Sequence, residues 1–136
     1  MIKKVFLWLS CLLVLSMHVQ AQADKRIEVF DIQKGMVVKR QELNPSVQKE
    51  AENYIKGITG VYTKVQPIPR KGFMVKIPLE PSVRIENEWL HDLVDEVIVI
   101  FPADESPYLM LYDNENRLHF FTFTGSADEL RQILEL

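Results

Sequence analysis

His91, Asp92, Asp95 and Glu96 form the one histidine–acid cluster in the sequence, in the run W-L-H-D-L-V-D-E-V. If the segment is helical, the four-residue spacing puts His91 and Asp95 on one face. Such a face could hold a metal ion or work as an acid–base pair, and the product would be a metal-assisted hydrolase. Zinc, however, wants three protein ligands of defined spacing, often with a second His or Cys. Beyond the N-terminal leader only His91 and His119 are available. The solvated face of a short helix explains the same residues more simply. Asp113-Asn114-Glu115-Asn116 offers oxygens to calcium but is far shorter than the roughly 12-residue loop that an EF-hand uses. It reads as a hairpin turn. There is no G-x-S-x-G, P-loop or G-x-G-x-x-G, and Ser46, Ser82, Ser106 and Ser126 stand beside turn or cap signals. No catalytic residue and no cofactor is assigned.

The charge pattern is more informative. From Asn53 to Leu79 there is no acid, whereas Lys56, Lys64, Arg70, Lys71 and Lys76 are all basic. From Ile85 to Glu105 there is no Lys or Arg, whereas Glu86, Glu88, Asp92, Asp95, Glu96, Asp104 and Glu105 are all acidic. Pro67-Ile68-Pro69-Arg70-Lys71-Gly72 reads as a stiff turn. If that turn closes a hairpin, it gathers Lys64, Arg70, Lys71 and Lys76 at one end of a sheet as a binding lip for an anionic ligand.

Residues 1–23 differ in kind from the rest. Lys3 and Lys4 precede an apolar run from Val5 to Met17, and Ala21-Gln22-Ala23 supplies a small-x-small cleavage pattern. This is a signal peptide, with cleavage expected after Ala23. The alternative is an uncleaved membrane anchor, for which the run is shorter than the roughly 18 apolar residues that a span wants. Cys11 lies inside the apolar run and leaves with it, so the exported chain has no disulfide and relies on its core. Loss of Lys3 and Lys4 takes Lys plus Arg from 16 to 14 against 19 acids, a net charge of −5. Compartment and sign together exclude nucleic acid as a partner. Residues 24–136 suffice for one domain.

The elements that must position these residues are organised around Val94–Phe123. Three β-branched and aromatic runs, separated by A-D-E-S and D-N-E-N, predict a three-strand antiparallel meander. Val99 and Phe121 are expected in neighbouring strands, and Asn116 is suited to a left-handed turn position. Asn44-Pro45 starts a helix over about 45–58, with Val47, Ala51, Tyr54, Ile55 and Ile58 on one stripe that presses on the sheet. Strands are expected over Asp24–Ile32, Met36–Arg40, Val61–Gln66 and Phe73–Leu79, with a shorter one at Val83–Glu86. Pro78 points to a sheet edge at its own end of the strand. A helical turn is expected over Glu88–Val94. Ser126–Glu129 reads as a capping box for a C-terminal helix over about 127–135. The order predicts an α+β fold with a mainly antiparallel sheet of about five to seven strands and a helix before and after it.

G-F-M-V-K-I-P-L, V-D-E-V-I-V-I-F-P and P-Y-L-M-L-Y-D-N-E-N resemble stretches of a small group of uncharacterised secreted proteins of Gram-positive bacteria, over most of residues 24–136. That resemblance implies secretion and no particular activity. A helix followed by a curled sheet is also similar in topology to cystatin-like and PepSY-like modules, which bears on fold alone. The functional expectation is a small exported or envelope-associated bacterial binding module acting through a strand edge or the basic turn. Its partner would be an anionic envelope polymer, a membrane surface or another exported protein.

Overall fold

Runs rich in β-branched and aromatic residues, in places alternating with polar ones, dictate the strands. The structure, a computed structural model, describes residues 25–136. The expected cleavage after Ala23 and the alternative anchor lie outside those residues. Among the described residues no helix is long and apolar enough to cross a membrane. Strands β1 (Arg26–Asp31), β2 (Met36–Glu42), β3 (Ile58–Val61), β4 (Gly72–Glu86), β5 (His91–Pro102), β6 (Tyr108–Tyr112) and β7 (Leu118–Phe123) make one sheet, ordered β2-β1-β4-β5-β6-β7-β3. Every pairing is antiparallel. Helices α1 (Pro45–Lys56) and α2 (Asp128–Leu134) complete the expected α+β fold.

The core lies between the sheet and the helices. Val29, Val75, Val99, Leu109 and Phe121 stand side by side on successive strands, and none has accessible surface. Val47, Ala51 and Ile55 press on this face from α1, and Leu130 and Leu134 from α2. The predicted Val99–Phe121 proximity is met through Leu109, which pairs with both.

Asn44 Oδ1 accepts the Val47 N–H at 3.0 Å, as an N-cap should. The helix stops at Lys56, earlier than expected, and Ile58 opens β3 instead of extending the apolar stripe. The Thr124 N–H donates to Gly57 O at 2.8 Å and so draws the chain directly to the β7 side. β4 is one strand of 15 residues where two were expected. Its ladder with β1 ends at Lys76, which leaves Pro78 at a local edge. Buried Gln48 serves the irregular stretch beyond: its Oε1 accepts Glu80 N–H at 3.0 Å and its Nε2 donates to Pro81 O at 3.3 Å.

The helical turn expected over Glu88–Val94 does not form. Asn87 Oδ1 accepts the N–H groups of Trp89 and Leu90, each at 2.9 Å, and makes a tight turn from which β5 starts at His91. A local side-chain acceptor outcompetes the helix there. The capping box is also absent. Ser126 Oγ accepts only the Asp128 N–H, and Ala127 begins α2 without a side-chain cap. Asn116 takes the expected left-handed conformation, with φ 59°.

Candidate functional site

β3 is paired with β7 at one edge of the sheet, and β4 lies on the far side of β7, β6 and β5. The chain between them must therefore cross, and residues 62–71 do so as a strap without regular pairing. Only its first residue still reaches the sheet, where Tyr62 N–H donates to Phe120 O at 2.9 Å. Pro67 and Pro69 then remove two ladder donors. The strand expected over Val61–Gln66 accordingly ends at Val61.

The strap is pinned to the β5–β6 loop and the start of β6. The Tyr62 ring stacks on the Tyr108 ring at 3.8 Å between centroids and 11° between planes. Tyr62 Oη and Lys64 Nζ both donate to the Glu105 carboxylate. Those bonds, from Lys64 first, hold the Glu105 carboxyl below its usual range, and the bond to Glu105 raises Lys64. Tyr108 Oη donates to Pro67 O, and burial pushes the Tyr108 phenol up. At the far end Ala103 N–H donates to Lys71 O at 3.1 Å. Gly72 closes the strap at φ 125°, where an added Cβ would lie 2.0 Å from Phe101 O. Only glycine can take this foot position.

The four basic residues are thus not gathered. Lys64 is committed to Glu105, and Lys76 sits in mid-strand with Nζ 3.1 Å from Glu28 Oε1. Arg70 and Lys71 are exposed, and among the described residues neither is within ion-pair distance of a carboxylate. The hairpin reading required residues 61–66 and 73–79 to be neighbours, and three strands separate β3 from β4. The basic and acidic blocks of the sequence meet instead where the strap crosses the β5–β6 loop. A cleft of about 370 Å³ opens beneath the strap, lined by Tyr62, Lys64, Ile68, Arg70, Asp104 and Tyr108. A larger one of about 1030 Å³ lies across the same loop, where the Arg131 guanidinium stands 5.0 Å over the Phe101 ring.

The histidine–acid cluster is dispersed. Along a strand, His91 and Asp95 are about 13 Å apart, and both are exposed. Asp92 accepts Asn114 N–H at 3.2 Å and Asn114 Nδ2 at 3.0 Å. Glu96 is half-buried, and burial raises its carboxyl. Among the described residues no three His, Cys, Asp or Glu side chains gather as a metal site would need. The sheet edges are guarded as well. β2 carries a bulge opposite Val29–Phe30 together with Lys39, Arg40 and Glu42, and β3 is four residues long with an irregularity between Ile58 and Gly60. These are the devices by which edge strands resist added strands.

Sequence reasoning did not find Tyr62, Glu105 or Tyr108 as strap anchors. The signal available was the abrupt change from basic to acidic segments, which marks surfaces that can attract one another. No protein-family model matches the chain, and no curated protein or solved structure matches it.

Proposed function

We propose that this chain is an exported, non-catalytic binding module that contacts another extracytoplasmic protein through residues 62–71. The leader supports export. The observation that carries the reading is a strap held at both ends, with Ile68, Arg70 and Lys71 exposed and the two cations without an ion pair among the described residues. Holding a contact segment in place before binding removes part of the ordering cost of association. A polymer or vesicle surface needs several cations acting together, because each exposed charge is screened within about 8 Å in physiological salt. With Lys64 and Lys76 committed, only two remain, and a discrete protein pocket fits them better. The guarded edges of β2 and β3 argue against strand addition.

The test is site-specific photo-cross-linking in cells that produce the protein. A cross-linking residue at position 68 should yield a defined protein adduct, which Arg70→Glu/Lys71→Glu abolishes. The same residue at position 38, on the β2 edge, should yield none. Adducts from position 38 alone, or sedimentation of the protein with anionic vesicles at low salt, would overturn the assignment.

A further inference from the structure

We infer that the strap's partner is a second copy of this chain. The two copies lie face to face across the open side of the sheet and run in opposite directions, so that each strap seats on the acidic end of the other copy. This rests on the strap being the contact segment, and names what it contacts.

Both helices pack on the face that carries Val99 and Phe121. On the other face a smaller cluster of Ile100, Tyr108 and Met110 is joined, among the described residues, only by sheet neighbours and by Tyr62 of the strap. Beyond the strap this face continues without cover. Ile98, Met110 and Phe120 form one row across β5, β6 and β7, and Tyr112 pairs with Leu118 in the next. Tyr112 is 50 % exposed and Leu118 44 %. An apolar patch rimmed by charge marks an interaction site, and two sheets packed face to face bury such rows between them.

Charge decides what lies on that face. β5 runs from His91 to Pro102, so its ends are about 36 Å apart. The strap stands at the Pro102 end, where Lys64, Arg70 and Lys71 outnumber Asp104 and Glu105. At the His91 end, residues 84–96 carry Glu86, Glu88, Asp92, Asp95 and Glu96 against Arg84 alone. Glu88 and Asp95 are exposed and Glu96 is half-buried, and none of the three has an ion pair among the described residues. Asp95 and Glu96 edge a notch of about 120 Å³ that Ile98, Met110 and Tyr112 also line. A surface with a basic projection at one end and an acidic, apolar notch at the other is complementary to itself. Two copies laid parallel would set like charges together, which costs affinity. A two-fold axis that reverses one copy sets each strap on the other's notch, and both contacts form at once. Ile68 supplies the apolar tip for the notch, and Arg70 and Lys71 the cations for Glu88, Asp95 and Glu96.

The experiment is analytical ultracentrifugation of the purified exported chain at concentrations up to about 0.1 mM, well above a micromolar dissociation constant. A two-chain species is expected at low salt, and high salt should weaken it roughly 10-fold or more. Leu118→Glu should leave a monomer. Arg70→Glu/Lys71→Glu should weaken the pair roughly 10-fold or more, and so should Glu88→Arg/Asp95→Arg. The chain carrying all four changes has the native net charge and should pair again, because opposite signs meet once more. Circular dichroism should show that every variant folds, since each altered side chain is exposed. A monomer at every concentration overturns the proposal. So does a two-chain species indifferent to Leu118→Glu, or a fourfold variant no better paired than the two double variants. A monomer together with a position-68 adduct to a different protein in cells sinks this inference and leaves the strap reading standing; a monomer with no adduct sinks both.

Discussion

At its C-terminal end β6 runs into the Asp113–Asn116 loop, and at its N-terminal end Tyr108 lies under the strap. Each loop is organised by a carboxylate. The Asp113 side chain has no accessible surface. It accepts Glu115 N–H and Arg117 N–H at 2.9 Å, Arg117 Nε at 2.8 Å and His119 Nε2 at 2.9 Å. All of these donors lie within six residues along the chain. Glu105 takes Tyr62 and Lys64, which are 43 and 41 residues away, and Tyr108 holds Pro67 from 41 away. The Asp113 carboxylate closes its hairpin with donors from the hairpin itself, to which Asn114 adds a tie to Asp92, whereas the strap's anchors are all distant and leave Arg70 and Lys71 over. Because each of those anchors is non-local, losing one would let the strap open locally while the rest of the fold stays closed.

Four substitutions probe the difference between the two loops. The largest loss is expected at the foot of the strap. Gly72→Ala combines a left-handed φ with a clash against Phe101 O and should cost about 3 kcal/mol or more in denaturant titration. Against a total of about 5–15 kcal/mol, that is severe.

Next comes Asp113→Ala. The His119 bond, with lesser help from the Arg117 and Glu115 donors, holds the Asp113 carboxyl well below the usual carboxylate range. Its contribution is therefore complete above the unfolded value, about 3.9, and is lost as pH falls below it, because the unfolded chain then binds a proton that the folded one refuses. Unfolding midpoints measured against pH should fall in acid for the native protein. The Asp113→Ala curve should start lower and decline less between about pH 4 and pH 2.

Tyr108→Phe removes one anchor only. It should cost about 1 kcal/mol, and faster amide exchange should be confined to residues 62–71, with the Asp113 hairpin unaffected. The smallest effect belongs to Arg70→Ala: among the described residues Arg70 makes no ion pair, so the change should leave stability within about 0.5 kcal/mol while removing the proposed contact.

The parts of the fold that were legible in the sequence are those decided locally. The Asn44 cap, the Asn116 turn and the β-branched and aromatic runs of the meander each carry their signal within a few residues. The β3–β7 pairing carries none, because a four-residue strand with Gly60 in it has no pattern that names its partner. The strap was misread as a hairpin for that reason. The run from Glu88 to Val94 satisfies helical spacing and strand alternation about equally, and Asn87, just outside it, decides for the strand. With that choice the His91–Glu96 cluster is pulled apart. Of the strap, the sequence shows the charge of Arg70 and Lys71 but carries no signal for the tyrosines that hold it.

Residues 62–71 cross the β5–β6 loop as a pinned strap, and nuclear Overhauser spectroscopy of the protein checks that crossing. Cross-peaks between the Tyr62 and Tyr108 rings, and between Tyr108 and Pro67, are expected. Cross-peaks pairing residues 61–66 with residues 73–79 would mean a hairpin with four gathered cations, and would contradict it.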